Sequence, residues 1–577
     1  MKKFYILLTV LFLFLGFNLY SQWSNDPNTN LMISDLNGEQ VLPKISLTSD
    51  GGCYIAWLDT RTGNYNVYLQ KLDAAGNKMF ESNGLLISDH TSNTYILGDW
   101  DMMTDNEGNA ILTFSDIRAG GDLKVYAYLI SPDGNFLWGA DGISLSTAND
   151  AQISPQITQT TDGFYIIAWI TFSTPSKIAV QKLDVAGNKL YGNDPIYIES
   201  GTNEQYTYPI PIAGADGSYI IGFEGTTGSF PGLTVHLYTQ KYSSAGVPQW
   251  GSSPVTVCDA GGFPHYELTN IISDANYGVV FVWYDDRDNN SLLSTFVQRV
   301  DSSGTLLFSA NGVEASSLSS NHHLNCDVVI DPSTYEIYAF WIEQDNNQSM
   351  AGISGQKFSV AGTKLWGNNG MTFKSMDSNT DLHMSALFEG GNEYVYYLEY
   401  VGGQVNNLAK AFSIDGDGNF NWTGNIVTFS SVVSPKSRLV SDIYINGASV
   451  LAWSDGRLDN GGIYAQDINQ FGQLGDPVTT VDDHEQNSIS FILEQNFPNP
   501  FNPSTKITYQ LPQSGNVTLK IFNAIGEEIQ TLINNEFEEA GIHSKEFIAN
   551  SFIPSGVYFY QLSTGNFIQT KKMILLK

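Results

Sequence analysis

The chain has 577 residues, of which 42% are hydrophobic and 15% charged, a composition typical of folded domains rather than disordered segments. Its 59 acidic residues outnumber its 27 basic ones, and the formal charge of -32 opposes attraction to nucleic acid or anionic membrane surfaces. Aromatic residues at 13% and 54 glycines favour strands and tight turns, so we predict an all-β protein without a nucleic-acid partner.

The first residues have the pattern of a secretory signal peptide. Met1-Lys2-Lys3 is followed by an apolar run from Phe4 to Phe17 and then by the small residue Ser21. Because a basic start, a short apolar core and a small residue are typical of such signals, we expect residues 1–21 to be removed during export. The apolar run is short for a membrane-spanning helix, so the mature form is predicted to have no transmembrane helix.

An aromatic landmark recurs eight times along most of the chain. It ends an apolar run, and a turn such as Ala75-Gly76-Asn77 follows it before the next apolar pair. The landmarks are Trp57, Phe114, Trp169, Phe223, Trp283, Trp341, Tyr397 and Trp453, at intervals of 54 to 60 residues by subtraction. A fixed period of this length indicates one structural unit repeated along the chain.

Each copy of the repeat reads as four short strands. In the first copy they are predicted at Ile45–Thr48, Tyr54–Leu58, Asn66–Leu72 and Leu85–Ser88, with a hairpin turn at Asp50-Gly51. Such a four-stranded antiparallel unit is typical of a propeller blade, whereas four strands have too little inner surface for a row of separate β-sandwiches. We therefore predict an eight-bladed β-propeller over residues 22–475.

The two ends of the repeat region are predicted to share one blade. The segment Leu31–Asp35, ahead of the first copy, matches the fourth-strand segment Leu85–Asp89, while the eighth copy ends without an apolar fourth strand. A ring of sheets leaves an open edge unless its ends pair. We therefore expect residues 23–40 to pair with residues 437–475 in a shared closing blade.

The strongest chemical motif is Asp-x-Arg directly after four of the landmarks. Carboxylates and guanidinium groups around one mouth can bind a sugar acid or supply a catalytic acid, and a second interpretation is that each Arg fork fixes its own loop. Recurrence within the repeat favours the structural interpretation, because a catalytic group is normally needed once. The candidate ligand-binding residues are Asp59, Arg61, Asp116, Arg118, Asp285, Arg287, Asp455 and Arg457.

The repeats carry no motif that identifies an enzyme. They contain no G-x-S-x-G nucleophile elbow, no H-E-x-x-H spacing and no phosphate-binding glycine loop with Lys, so no catalytic residue, metal ligand or cofactor is predicted. The preferred hypothesis is a secreted or cell-surface binding or adhesion module, expected to be a monomer, whose ligand is a glycan or a protein. The alternative is a secreted carbohydrate-active enzyme, a glycosidase or lyase with its site on the propeller face.

After Gly475 the sequence changes character. Residues 476–492 are polar and acidic with no landmark, which indicates a linker. Residues 493–577 then alternate in a new series of strands, which predicts a small Ig-like β-sandwich. These strands are predicted at Lys506–Leu511, Val517–Phe522, Glu528–Ile533, His543–Ile548, Val557–Leu562 and Ile568–Leu576.

This last segment contains a specific set of short motifs. Their residues are Pro498, Asn499, Pro500, Phe501, Asn502 and Pro503, Gly541 and His543, Gly556 and Tyr558, and Lys571 and Lys572. The set resembles the type A C-terminal sorting domain of the type IX (Por) secretion system, although Phe547 stands where Trp is common. The resemblance implies export through the periplasm, crossing of the outer membrane by the type IX secretion machinery, and either surface attachment or release.

Overall fold

The computed structural model describes two compact units, Met1–Thr480 and Val481–Lys577. The residues described are 22–576, apart from 93–99, 119–120, 229–231, 261–269, 380, 402–405, 459–460, 476–491, 494, 497, 512–514, 524–526, 539–540, 551–552 and 565–566. Across these residues the regular structure is β-strand, with one three-residue 3-10 turn at Ala215–Gly217 and no α-helix. The predicted all-β class is confirmed. The predicted signal peptide and most of the predicted linker lie outside the described residues.

Eight four-stranded antiparallel sheets form the first unit, with strands numbered in chain order. The strands of the first four sheets are β2 (Gln40–Leu47), β3 (Cys53–Asp59), β4 (Tyr65–Leu72) and β5 (Leu85–Ser92); β6 (Asp101–Thr104), β7 (Ala110–Asp116), β8 (Lys124–Ile130) and β9 (Ile143–Ser144); β10 (Ala151–Gln159), β11 (Tyr165–Phe172), β12 (Lys177–Leu183) and β13 (Ile196–Ile198); and β14 (Gln205–Ala213), β15 (Tyr219–Thr227), β16 (Thr234–Tyr242) and β17 (Val255–Cys258).

The remaining four sheets follow the same plan. Their strands are β18 (Asn270–Ser273), β19 (Val279–Asp285), β20 (Ser294–Val300) and β21 (Val313–Glu314); β22 (Asn321–Ile330), β23 (Ile337–Asp345), β24 (Ala351–Phe358) and β25 (Met371–Asp377); β26 (Asp381–Glu389), β27 (Asn392–Tyr400), β28 (Asn407–Asp415) and β29 (Ile426–Ser434); and β30 (Lys436–Ile443), β31 (Ser449–Asp455) and β32 (Gly462–Ile468) with β1 (Leu31–Ser34). In the eighth sheet β1 pairs with β32, in the order β1-β32-β31-β30.

Second and third strands are buried on both faces, which explains why the landmarks are visible in the sequence. Every residue of β3 is buried, and so are most of β4. Their outer faces do not meet water, because each sheet packs against the next: Leu58 of the first sheet shares a core with Leu112 of the second. Strands covered on both faces read as continuous apolar runs rather than alternating ones.

The first strand of the first sheet begins earlier than the sequence predicts. We expected it at Ile45, but β2 starts at Gln40, which pairs with Asp59. The reason is a bulge: the register shifts between Val41 and Lys44. A bulge interrupts the alternation by which a strand is recognised, so the segment ahead of it does not read as part of the strand.

The first strands of the eight sheets contact one another in a closed circle. Each of β2, β6, β10, β14, β18, β22, β26 and β30 contacts the next, and β30 contacts β2. Carboxylates join several neighbours: Asp442 in β30 accepts a hydrogen bond from the backbone N–H of Leu47 in β2 at 3.0 Å. Asp101 accepts one from Ile157 at 3.0 Å in the same manner.

A tryptophan links several sheets to the turn of the next sheet. The indole of Trp422 donates to the Gln470 carbonyl at 2.9 Å, and that of Trp23 donates to the Ala74 carbonyl at 3.2 Å. Trp23 therefore makes, from the N-terminal segment, the contact that Trp422 makes from the seventh sheet. Gly76 in the receiving turn has φ 79°, and a Cβ there would lie 2.9 Å from the Trp23 ring, so only glycine fits.

The second unit consists of two antiparallel sheets. The smaller sheet contains β33 (Ile492–Leu493), β34 (Ser504–Leu511) and β37 (Gly541–Ile548), and the larger contains β36 (Glu528–Glu538), β35 (Gly515–Asn523), β38 (Gly556–Thr564) and β39 (Phe567–Leu575). One core, which includes Tyr509, Phe547 and Tyr560, lies between them. The six predicted strands are all present, and a short seventh begins at Ile492, inside the range predicted as linker.

Candidate functional site

The Asp59-x-Arg61 motif forms a closed set of contacts within its own sheet. Asp59 is fully buried, and its carboxylate accepts from the Trp57 indole at 3.1 Å and from the backbone N–H of Arg61 at 2.8 Å. The Arg61 guanidinium donates to Asp59 at 2.5 Å and to the Asn83 carbonyl at 3.1 Å. It also lies 4.0 Å above the Tyr68 ring. The arginine therefore ties the loop to the third strand and to the turn before the fourth.

The other three motifs repeat this arrangement in their own sheets. The Arg–Asp distances are 2.5 Å for Arg118–Asp116, 2.6 Å for Arg287–Asp285 and 2.6 Å for Arg457–Asp455. Each guanidinium covers an aromatic ring, namely Tyr126, Phe296 and Tyr464. All four carboxylates have a side-chain exposure of 0%, against 10–19% for the arginines. The edge of each motif guanidinium is therefore accessible to a ligand, whereas the motif carboxylate beneath it is not. The assignment of these eight residues to ligand binding remains a prediction.

Two further copies place a different buried acid at the same point, which the search for Asp-x-Arg missed. Glu343 lies two residues after Trp341 and accepts from Asn321 at 2.7 Å and Ser354 at 2.6 Å. Glu399 likewise follows Tyr397 and forms ion pairs with Lys374 and Lys410. The signal was available, since the second position after the landmark is acidic in six of the eight copies. An acidic residue at this position in most copies, bonded to partners that differ among the copies, indicates a structural role.

The fourth copy fills this position from the residue just ahead of its first strand. Gly225 stands where the acid would be, and a Cβ there would lie 2.5 Å from the Glu204 carboxylate. Glu204 Oε1 is 2.9 Å from His236 Nδ1, and the Tyr238 hydroxyl lies 3.2 Å from both Glu204 and His236. Burial first, and the Glu204 charge second, raise the pKa of Tyr238. The phenol therefore keeps its proton, and an acid, an imidazole and a phenol meet in one cluster.

The described residues contain no group of three His, Cys, Asp or Glu side chains placed to hold a metal ion. The adjacent residues His322 and His323 illustrate this. His323 is fully buried against the Trp341 ring at 5.4 Å, and burial lowers the pKa of its imidazole to about 4. Within the same residues, no helix is long and apolar enough to cross a membrane.

Exchanging Arg for Lys in the four motifs should destabilise the first unit. An ammonium group cannot reproduce a fork that spans the carboxylate and a second acceptor. That acceptor is a turn carbonyl for Arg61, Arg118 and Arg287, and the Asn30 side-chain oxygen for Arg457. The variants are Arg61→Lys, Arg118→Lys, Arg287→Lys and Arg457→Lys. We expect losses of about 1–3 kcal/mol at each position, measured as a lower thermal unfolding midpoint. Arg438→Lys is the matched control, because Arg438 is exposed. Unchanged midpoints in all four variants would rule out the structural role.

The sorting-motif residues of the second unit hold its last strand in place. The backbone N–H of Phe501 donates to the Ile574 carbonyl at 2.9 Å, and the N–H of Leu576 donates to the Phe501 carbonyl at 3.0 Å. Asn499 accepts from the backbone N–H of Ile574 at 2.8 Å. The Phe501 ring packs against Phe547 at 5.7 Å. The Pro498–Pro503 segment and the basic end of the chain therefore form one structural element.

A search of curated proteins finds no match to this chain. One family model matches, described as a secretion system C-terminal sorting domain, over residues 495–576.

Several solved structures are similar to part of this chain. A polysaccharide lyase of family PL25, an ulvan lyase bound to -[GlcA(1-4)Rha3S]-, has 10% identity and a TM-score of 0.42, covering 78% of this chain and 97% of that one. Polysaccharide lyase Uly1 has 10% identity and a TM-score of 0.40, with coverages of 75% and 90%. An endo-arabinase from Bacteroides thetaiotaomicron has 13% identity and a TM-score of 0.27, with coverages of 47% and 96%. TM-scores below 0.5 support no statement about the activity of this chain.

Removal of residues 493–577 should prevent export across the outer membrane. The truncated protein keeps the predicted signal peptide but lacks the sorting domain, so we expect it to accumulate in the periplasm. Immunoblotting of periplasmic and surface fractions measures the result, with the full-length chain as control. Undiminished surface exposure of the truncated protein would contradict this expectation.

The family match, the motifs and the packing of the last strand agree on the same segment. Residues 495–576 are a type IX secretion system C-terminal sorting domain, and the protein is exported to the cell surface or beyond.

Proposed function

We propose that the first unit is an eight-bladed β-propeller closed by strand β1, and that the second is a small Ig-like sandwich. The closed circle of first strands and the contact of Trp23 with the Ala74 carbonyl support the ring. The two sheets around one core support the sandwich. The proposed domains are a signal peptide at 1–21, the propeller at 22–475, a linker at 476–492 and the sorting domain at 493–577.

The function proposed for the propeller is binding of a carbohydrate at the edge that carries the Asp-x-Arg loops. The observation that supports this proposal is that the strands are regular from sheet to sheet, whereas the loops that connect them are not. The second and third strands repeat from sheet to sheet, whereas the loops that join them differ in length. The loop of the first sheet comprises residues 60–64, and that of the fifth sheet comprises residues 286–293. Variable loops on a rigid scaffold are the usual location of binding residues.

A glycan array probed with the mature exported protein tests this function. We expect retention of a defined subset of glycans, and we expect those glycans to be recovered intact after incubation. A protein that retains no glycan on the array would refute carbohydrate binding and leave a protein ligand as the remaining partner.

The second candidate is a carbohydrate-active enzyme, and the Glu204–His236–Tyr238 cluster favours it. The His236 side chain is 24% exposed, so a substrate can reach an imidazole that contacts both a carboxylate and a phenol. Imidazole and phenol groups are suited to proton transfer during bond cleavage. The lyases and the arabinase named above belong to this class of enzyme, and their low similarity leaves the choice between the two candidates to experiment.

Tyr238→Phe distinguishes the two candidates. If the cluster transfers protons, this variant should lose nearly all cleavage of a polysaccharide that the unmodified protein degrades, with a reduction of about a hundredfold or more. The matched control is Tyr68→Phe, because Tyr68 pairs with Trp57 as Tyr238 pairs with Phe223. Equal loss in both variants, or full activity in Tyr238→Phe, would exclude the cluster as the catalytic site.

A further inference from the structure

A repeated backbone irregularity lies on the inner circle of first strands. In six of these strands one residue that is not glycine has left-handed φ, between 33° and 55°. In each case the pairing with the second strand shifts register beside it. The six residues are Leu42, Ser154, Tyr208, Asn325, His383 and Arg438. Left-handed backbone is unfavourable for residues other than glycine, and positions of this kind are concentrated at functional sites.

The backbone feature is common to these six sheets, whereas the residue differs in every one. A structural requirement for one side chain would select the same residue type in each copy, as it does at the landmark aromatics. The bulges therefore present a ring of dissimilar side chains on a uniform frame. That arrangement suits recognition, because chemistry can change from sheet to sheet without altering the scaffold.

Three adjacent bulges surround one cavity. Its volume is about 190 Å³, and it is lined by Leu42, Pro43 and Lys44 of β2, His383 of β26, and Arg438, Leu439 and Val440 of β30. These strands belong to the first, seventh and eighth sheets, and β30 contacts both of the others. The cavity therefore exists only because the ends of the repeat region come together.

The charge of this cavity is opposite to that of the protein. Lys44, His383 and Arg438 supply basic groups from three sheets, and the described lining residues include no acid. The whole chain has 27 basic residues against 59 acidic ones. Of the six arginines in the chain, those in the Asp-x-Arg motifs are each bonded to a carboxylate, and Arg299 is bonded to Asp274 at 3.0 Å.

Arg438 differs from all of them. Its side chain is exposed, and among the described residues it has no ion pair or hydrogen bond. His383 is also exposed to solvent, although the protein atoms around its ring displace part of the surrounding water. Burial, followed by the nearby Arg438 charge, lowers the pKa of His383, so its imidazole is neutral near pH 7 and can accept or donate a hydrogen bond. The cavity therefore places the unengaged Arg438 guanidinium together with the His383 imidazole and the Lys44 ammonium.

We infer that this cavity binds the single anionic group of an acidic sugar, a carboxylate or a sulfate ester, through Arg438, Lys44 and His383. An arginine fork matches the paired oxygens of either group. The formal charge of -32 disfavours binding of densely charged anionic polymers. A single anionic group that enters a local basic cavity is repelled much less. The cavity is smaller than typical pockets of about 300–1,000 Å³, which fits one sugar unit rather than a long chain.

This inference rests on the proposed carbohydrate function and adds the class of sugar. Three probes test it by calorimetric titration of the full mature protein: D-galacturonate, D-galactose 6-sulfate and D-galactose, which differ only at C6. We expect the two acidic sugars to bind at least about tenfold more tightly than galactose, the change expected for one charge-assisted hydrogen bond. Equal affinity for all three probes, or no binding of either acidic sugar, would overturn the inference.

Substitutions locate the site. Arg438→Gln and Lys44→Gln should each weaken binding of the acidic sugars about tenfold or more and leave galactose unaffected. Lys506→Gln is the matched control, because it removes one positive charge from an exposed position of the second unit. Because Arg438 is exposed, its variant should keep the thermal midpoint of the unmodified protein. Unchanged affinity in both cavity variants would exclude this cavity as the site.

The outcomes also separate this inference from the proposed function. Glycan binding on the array without preference for acidic sugars would leave the proposed function standing and refute the cavity assignment. Binding of inorganic sulfate with no binding of any sugar would show an anion site while refuting both the sugar class and the carbohydrate function.

Discussion

Asp455→Asn is expected to destabilise the first unit by about 3 kcal/mol or more, the largest effect of any single substitution in the Asp-x-Arg motifs. The Asp455 carboxylate lies 2.6 Å from Arg457 and 3.5 Å from Lys436, and both Asp455 and Lys436 have fully buried side chains. It also accepts from the Trp453 indole at 2.8 Å and from the Ser434 hydroxyl at 2.7 Å. A neutral amide leaves the buried Lys436 ammonium and the partly buried Arg457 guanidinium without a counter-charge.

The loss should depend on pH in a definite direction. Burial lowers the pKa of Lys436 to about 8, and the Asp455 charge opposes this shift. The penalty from a base with a lowered folded-state pKa is complete below that pKa, and it decreases as the pH rises from the folded-state pKa towards the higher pKa of the unfolded state. The thermal midpoint of Asp455→Asn should therefore lie further below that of the unmodified protein at pH 6 than at pH 9. Asp417→Asn, at an exposed turn, is the control; equal losses at both pH values would contradict the role of Lys436.

Glu393→Gln is expected to stabilise the protein at neutral and alkaline pH. Glu393 is fully buried, and neither carboxylate oxygen has a hydrogen-bond partner among the described residues. Burial raises the pKa of this group from its ordinary value of 4.5 to about 8. The folded state therefore holds a proton that the unfolded state releases, and stability falls as the pH rises through this interval.

The expected gain in stability of Glu393→Gln follows from the raised pKa of Glu393. A glutamine carries no charge to desolvate, so the variant should exceed the unmodified protein by about 2–3 kcal/mol near pH 7 and by little near pH 4. Thermal unfolding midpoints at pH 4, 6 and 8 measure the difference. The control is Glu107→Gln, which changes an exposed side chain and should be neutral at each pH. A gain that does not grow with pH would show that Glu393 is ionised in the folded protein.

The sequence predicted the class of the fold because its strongest signals are local. Strands buried on both faces appear as apolar runs that end in a large aromatic, and Trp57 and Trp453 mark the first and last of them. The sorting domain was identifiable for a similar reason, since its motif residues are close together in the chain and pack on one strand. The match of Leu31–Asp35 with a fourth strand likewise predicted the pairing partner that β1 has in the structure.

Prediction from sequence was incomplete where a side chain from another part of the chain takes the place of a missing repeat residue. Gly225 stands where the acid is missing in the fourth copy, yet Glu204 fills the site from the residue just ahead of β14, and no spacing rule connects the two. Bulges had the same effect on strand boundaries, because a left-handed residue such as Leu42 breaks the alternation on which strand prediction depends.

The sequence by itself determined the eightfold repeat, the all-β class, the export route and the residue types that hold each loop, because contacts within one copy or one motif specify all of these. Only the tertiary structure decided which side chains meet. The cavity of Lys44, His383 and Arg438 draws on the beginning and the end of the repeat region, which are adjacent only after the first strands close their circle. Closure depends on the sum of small rotations between sheets, a property that no single copy encodes.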